Sequence, residues 1–328
     1  MSQPLLKVVN LRKWFPLRRS ISDTLLRKPR AYIKAVDGIS FEIMPGEIFT
    51  LAGESGCGKT TTGRLTLKLE EPDSGQIVFE GRDISKAQGD ELKEFRKKAQ
   101  IIFQDPYESL NPLMKVVDIV TEPLVIHALL DGREEKIEAA SKALEMVALT
   151  PPENFLYRFP HELSGGQRQR VAIARTLVLK PQYIVADEPV SMLDVSIRAS
   201  ILKLLLEIRE KFGVAYLFIT HDLALAKHIS DRIAIMYLGK IVEMGDSEKV
   251  LTDPAHPYTK ALIAALPSPD PHEKIGELPI IGEVVSAANP PPGCRFHPRC
   301  PYAMEKCRVI EPPLIKLREN HVAACHIL

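Results

Sequence analysis

The chain has 328 residues, 45% of them hydrophobic and 26% charged, ordinary proportions for a folded globular protein and not those of a disordered or fibrous one. Its length allows one main domain plus a smaller extension. A formal net charge of +1 gives no global field for nucleic acid, and no run approaches the roughly 18 apolar residues that span a bilayer.

The N-terminus lacks the basic-then-apolar pattern of a secretory signal, so the chain is expected to stay where it is made. Residues 1–34 carry nine Lys/Arg against the single acid Asp23, read as a solvated basic loop between strands, with contact to an anionic membrane surface as the sharper alternative. Ile48-Phe-Thr-Leu-Ala52 then reads as a buried strand. It runs into Gly53-Glu54-Ser55-Gly56-Cys57-Gly58-Lys59-Thr60-Thr61, which opens a helical stretch, the context a phosphate-binding loop requires. Its glycines let backbone N–H groups wrap a β-phosphate, Lys59 reaches the β and γ oxygens, and Thr60 ligates magnesium. Cys57 reads as a small filler.

Gln100-Ile-Ile-Phe103 is a second strand, and residues 133–148 form a helix with Ile137, Ala140, Leu144 and Val147 on one face. In His161-Glu-Leu163-Ser164-Gly165-Gly166-Gln167, a serine N-cap and two glycines start a helix over 168–180 whose N–H groups are open to an anion. Tyr183-Ile-Val-Ala-Asp187-Glu188 is an apolar strand ending in two carboxylates, delivered to the crevice above a sheet, where Asp187 holds a metal and Glu188 polarises a water. Val214–Ile219 is another strand, and Arg232–Tyr237, Leu238-Gly239 and Lys240–Met244 read as a hairpin closing the sheet edge. The alternation predicts an α/β fold.

After about residue 266 the composition changes, with eleven of the 26 prolines between Pro267 and Pro313. Four of the five cysteines, Cys294, Cys300, Cys307 and Cys325, fall in the last 35 residues. In a chain without an export signal this points to metal or cluster ligation before disulfides, and the spacing alone leaves zinc and iron–sulfur open.

Leu163-Ser-Gly-Gly-Gln167 resembles the signature motif of ABC ATPases, and the family's remaining motifs occur in order: Gln104 in Ile101-Ile-Phe-Gln-Asp-Pro106, Asp194 in Ser191-Met-Leu-Asp194, and His221 in Ile219-Thr-His-Asp222. The resemblance implies an α/β P-loop nucleotide-binding domain over 1–265, with a RecA-like core, an antiparallel β edge and a helical subdomain at about 105–178, followed by a Cys/Pro-rich extension over 266–328. It implies ATP and Mg²⁺, the metal held by Thr60, Gln104 and Asp187; Phe15, or its neighbour Trp14, stacking on adenine; Glu188, His221, Lys59 and Gln104 as catalytic residues; and Ser164, Gly165, Gly166, Gln167 and Asp194 acting in trans on a second subunit's nucleotide. Met192 departs from the family's usual alanine. Asp253-Pro-Ala-His-Pro-Tyr-Thr-Lys-Ala-Leu262 looks like the tail marker of oligopeptide, dipeptide and nickel importers, and Gly166-Gln167 with Glu188–Ile197 resembles their F-type subunit. That resemblance implies a peripheral ATPase on the cytoplasmic membrane face. Its partners would be a D-type ATPase in a heterodimer, two permeases and an extracytoplasmic binding protein, with no nucleic acid. Oligopeptides or dipeptides are the expected cargo, with oligosaccharide, nickel and glutathione as alternatives. Similar tails hold a [4Fe-4S] cluster on four cysteines, here Cys294, Cys300, Cys307 and Cys325, with zinc the less favoured occupant. The rival reading is a soluble, non-transport ABC ATPase acting on nucleic acid or the ribosome, and an iron–sulfur redox protein with regulatory ATP is a more distant one.

Overall fold

The computed structural model describes residues 3–17, 31–130, 132–266, 279–282 and 285–328. The chain forms two compact units: residues 1–43, 48–85 and 219–328 in the first, and 44–47 with 86–218 in the second. Part of the basic N-terminal stretch and part of the proline-rich segment lie outside the described residues. Within the described part, Lys7, Arg12 and Lys13 pair with Glu42, Asp37 and Asp73, at 2.6, 3.9 and 3.8 Å, as a charged surface does.

The first unit opens with β1 (Leu6–Pro16) and β2 (Tyr32–Ile43), an antiparallel pair. β3 (Ile48–Ala52) is buried at every position and leads through the phosphate-loop sequence into the helix Lys59–Thr66. β4 (Ser74–Phe79) and β5 (Arg82–Asp83) complete a four-stranded sheet in the order β2-β1-β4-β5.

In the second unit the helix Gly89–Lys98 leads into β6 (Ala99–Ile102), which pairs in parallel with β7 (Tyr183–Asp187). Between them the helices Val116–Ile126, Arg133–Met146 and Gly165–Leu177 pack on one another through Val120, Ala140, Ala143, Leu144 and Val171, all fully buried. Burying each of the larger aliphatic side chains is worth about 1.5–3 kcal/mol. The helix starts at Gly165, directly after its expected cap, with Ser164 closing a reciprocal capping box with Gln167, and it ends at Leu177, short of the 180 that the apolar spacing suggests. After the helix Val195–Phe212, β8 (Ala215–Thr220) follows β7 in strand order and carries the chain back to the first unit.

There, beyond the helix Leu223–Ile229, β9 (Arg232–Tyr237) pairs in parallel with β3 and antiparallel with β10 (Lys240–Asp246). The predicted hairpin is present: Leu238 and Gly239 both have positive φ, +43° and +82°, as a two-residue turn matched to strand twist requires. It does not close the sheet edge. After the helices Ser247–Thr252 and Pro257–Ala264, the tail returns as β11 (Ile315–Arg318) and β12 (His321–Ala323), and β12 pairs with β10, giving the order β11-β12-β10-β9-β3. β10 is therefore an inner strand, and its fully buried Glu243 accepts hydrogen bonds from the N–H groups of Ala255 and His256, at 2.7 and 2.9 Å, with His321 Nε2 at 2.7 Å. Among the described residues no helix is long and apolar enough to cross a membrane.

Candidate functional site

In the first unit, the loop Gly53–Gly58 is shaped by positions no side chain can occupy. A Cβ on Gly53 (φ +151°) would lie 2.2 Å from the Met236 carbonyl oxygen, and one on Gly58 (φ +112°) 2.0 Å from that of Ala35. Lys59 is buried and its Nζ donates to the carbonyl oxygens of Gly53, at 2.8 Å, and Glu54, at 2.9 Å, so the ammonium is drawn across the loop's mouth. Ser55 and Gly56 are exposed, and Thr60 and Thr61 open the helix. Cys57 is buried, burial pushes its thiol up, and its carbonyl accepts from the Gly239 N–H at 2.8 Å, which fits a packing role.

His221 follows β8, exposed, and the next residue, Asp222, caps the helix Leu223–Ile229 by accepting from the Leu225 N–H at 3.0 Å. Phe15 is half-buried near the end of β1, opposite Ile33. Its neighbour Trp14 is committed elsewhere, donating from Nε1 to Asp37 Oδ1 at 3.1 Å with the Lys34 ammonium 4.6 Å from its ring centre.

In the second unit, Asp187 is buried at the end of β7, and Glu188 follows with a left-handed backbone (φ +45°), a conformation that costs free energy in any residue bearing a Cβ. Gln104 Nε2 donates to Glu188 Oε2 at 3.0 Å, joining two residues that the sequence pairs only through the family resemblance. Arg198 fastens the turn that follows, donating to the carbonyls of Leu193 and Ser191 at 2.7 and 3.2 Å, while Met192 and Asp194 are exposed. Met192 is 59% exposed, so the departure from alanine leaves the packing of this unit undisturbed. At the start of the helix Gly165–Leu177, the Ser164 hydroxyl accepts from the Gln167 N–H at 3.4 Å and the Ser164 N–H donates to Gln167 Oε1 at 3.0 Å. Ser164 is exposed, and Gly166 is buried against Ile197, whose Cγ2 lies 2.8 Å from where a Cβ would be.

The four terminal cysteines are all free thiols. Burial pushes the Cys294 thiol up to about 11, a backbone hydrogen bond at Phe296 opposes the rise, and Cys325, Cys307 and Cys300 add to it. Among the described residues no group of three or more His, Cys, Asp or Glu is arranged to hold a metal ion.

Three residues near the loop carry no sequence signal for a role there, although Tyr258 lies within the tail marker Asp253–Leu262. Tyr258 accepts from the Glu54 N–H at 2.9 Å, Arg299 bridges the Glu54 carboxylate, and Arg295 donates to Asp37 and to the Leu238 carbonyl. Burial opposes the charge on Asp37, but Arg295, Lys240 and the Trp14 N–H together hold its carboxyl below the usual range.

The family model for ABC transporters matches residues 36–191, and that for the oligopeptide/dipeptide transporter C-terminal region matches residues 242–307. The chain is 46% identical to the Sinorhizobium fredii protein named probable peptide ABC transporter ATP-binding protein y4tS, over all of this chain and 91% of that one. It is 43% identical to the dipeptide transport ATP-binding protein DppF of Haemophilus influenzae, over 98% and 96%. Among solved structures, the dimeric post-hydrolysis ATP-binding cassette MJ0796 bound to ADP and phosphate is similar at 28% identity and a TM-score of 0.62, covering 74% of this chain and 98% of that one.

Proposed function

The chain belongs to the ATP-binding proteins of peptide ABC transporters, and from that membership we propose that it is the F-type, ATP-hydrolysing subunit of an oligopeptide or dipeptide importer, bound to the cytoplasmic face of the membrane. The observation that carries the reading is the Gln104–Glu188 hydrogen bond beside the metal-binding candidate Asp187, in a chain whose glycine loop is closed around Lys59. The match of the C-terminal region to a transporter model favours transport over action on nucleic acid, and the relatives' names favour peptides over oligosaccharide, nickel or glutathione.

ATP is bound with its phosphates in the glycine loop and helix start Gly53–Thr61 and its adenine against Phe15, since Trp14 is already engaged by Asp37 and Lys34. Thr60, Gln104 and Asp187 hold Mg²⁺, which supplies charge neutralisation for phosphoryl transfer. Lys59 stabilises charge on the β and γ oxygens, Glu188 orients the attacking water and accepts its proton, and His221 contacts the γ-phosphate. Gln104 keeps the Glu188 carboxylate aimed. Ser164, Gly165, Gly166 and Gln167, at an exposed helix start, and Asp194 act on the nucleotide of a partner ATPase, a D-type subunit in a heterodimer. Hydrolysis reopens the pair and drives two permease subunits fed by a binding protein.

In this reading the four cysteines would hold a [4Fe-4S] cluster, the occupant that the family resemblance implies, and the cluster would cross-link a tail in which the Cys294 N–H already donates to the Cys307 carbonyl at 2.8 Å. The test is reconstitution with a D-type partner, two permeases and a binding protein in lipid vesicles. Peptide-stimulated ATP hydrolysis with peptide uptake is expected. Full-speed hydrolysis by the isolated monomer, or no affinity for Mg-ATP, overturns the proposal.

A further inference from the structure

Glu54, the second residue of the phosphate loop, is gripped at three points, and two of the three grips come from beyond residue 250. Its carbonyl accepts from Lys59 Nζ at 2.9 Å, its N–H donates to the Tyr258 hydroxyl at 2.9 Å, and Nη1 of Arg299 bridges both its carboxylate oxygens, at 3.0 and 2.9 Å. The Arg299 side chain is only 6% exposed. Its guanidinium carbon lies 5.9 Å from the ring centres of both Tyr237 and Phe296, which pack on each other at a centroid distance of 5.4 Å and on Tyr258 at 4.6 and 5.3 Å. A guanidinium walled in this way cannot leave its carboxylate for water without exposing the aromatic cluster, and a buried charge stripped of its partner is strongly unfavourable.

The position of Arg299 is set by the cysteines on either side. It ends a short 3-10 turn, His297–Arg299. The Cys294 carbonyl accepts from the His297 N–H at 3.0 Å, and the Cys300 N–H donates to the His297 carbonyl at 3.3 Å. The Cys294 N–H in turn donates to the Cys307 carbonyl at 2.8 Å, tying in a third cysteine. Cys300 and Phe296 are buried in the same cluster as Tyr237 and Tyr258, with Cys294 packed against it. Any rearrangement of Cys294 and Cys300 therefore moves the turn that carries Arg299, and with it the side chain of Glu54.

We propose that Arg299 is a positioning residue for the phosphate loop, and that the four-cysteine tail sets the affinity for ATP through it. The proposal rests on reading residues 53–61 as the nucleotide loop. In physical terms, the tail holds Glu54, and so the N–H groups around it, in the shape that receives a phosphate, removing an ordering cost from binding.

The test measures Mg-ATP affinity of the full-length subunit with a fluorescent nucleotide, and steady-state KM and kcat in the assembled transporter, for R299A, R299K, E54Q, C300S and R299A/C300S. R299A should weaken affinity roughly tenfold, the loss expected of a charge-assisted hydrogen bond. It should raise KM while leaving kcat within about threefold, because Arg299 orders the loop before chemistry. R299K should restore part of the loss, since its ammonium keeps the charge but not the planar fork. E54Q breaks the same contact from the loop side without touching the tail, and should weaken affinity as R299A does. C300S should weaken affinity several-fold, and the double variant should be no weaker than R299A alone. Affinities of R299A and E54Q within twofold of the parent overturn the positioning role. A double variant that loses the product of the two single losses overturns transmission through Arg299. K59A separates the two readings: it should abolish nucleotide binding, and unchanged binding in K59A would remove the loop assignment itself.

Discussion

Gln104 and Glu188, from just beyond the ends of the parallel strands β6 and β7, share a hydrogen bond of 3.0 Å although 84 residues separate them in sequence. The amide donates and the carboxylate accepts, so Gln104 fixes the direction in which Glu188 presents its second oxygen. Replacing Glu188 by glutamine preserves the shape and a hydrogen-bond acceptor for Gln104 but removes the base. Turnover of E188Q should fall about a hundredfold or more, while Mg-ATP binding stays within a few-fold. Phosphate release and nucleotide titration on the same preparation measure both, and near-normal turnover would end the role assigned to Glu188.

The signature helix offers a different separation of binding from chemistry. Ser164 is exposed and caps its own helix, so Ser164→Ala should cost about 1 kcal/mol of stability. Ser164→Arg adds bulk on the face offered to a partner, and should abolish ATP-dependent association while the subunit still binds ATP through its own loop. Sedimentation with and without Mg-ATP reads the outcome, and persistence of the nucleotide-dependent dimer would remove the trans assignment.

His256 gives the fold an acid limit. It is buried, its Nδ1 accepts from the Tyr258 N–H at 3.0 Å, and burial pushes its pKa down to about 3 from an ordinary value near 6.5. The unfolded chain takes up a proton below pH 6.5 that the folded one refuses until about pH 3, so stability falls as pH drops through that window, by up to about 1.4 kcal/mol per unit. Asn can still cap the helix at this position and does not titrate. H256N should flatten the acid slope in denaturant melts between pH 6.5 and 4.5, and an unchanged slope would assign the acid sensitivity to other groups.

For the cysteines, anaerobically purified protein should be brown and carry about four irons per chain, the stoichiometry of the proposed cluster. Cys307→Ser should bleach the colour and lower the thermal midpoint, because the cross-link across the tail is lost. One zinc per chain with no visible absorption would assign the site to zinc.

Much of this arrangement was legible in the sequence because it is local. The loop from Gly53 to Thr60, the strand ending in Asp187 and the serine cap at Ser164 each lie within about ten residues of the pattern that betrays them, and strand or helix periodicity supplies their setting. Arg299 and Glu54 were not legible. They lie 245 residues apart, and with 43 basic and 42 acidic side chains in the chain, composition cannot choose their pairing. β11 and β12 were hidden for another reason: strands of four and three residues following Pro312-Pro313 show too little alternation to register, so β10 passed for an edge. The left-handed backbone of Glu188 likewise leaves no mark in residue type, since the conformation is imposed by tertiary contacts.

The pairing of β12 with β10 also bears on how such a protein can be cut and recombined. A chain stopped ahead of residue 315 would leave the β10 edge bare at Glu243–Gly245, along with Glu243 deprived of His321, and an uncovered strand edge of that kind recruits neighbouring molecules. Swaps between homologous cassettes should therefore carry residues 315–328 with them or yield insoluble material.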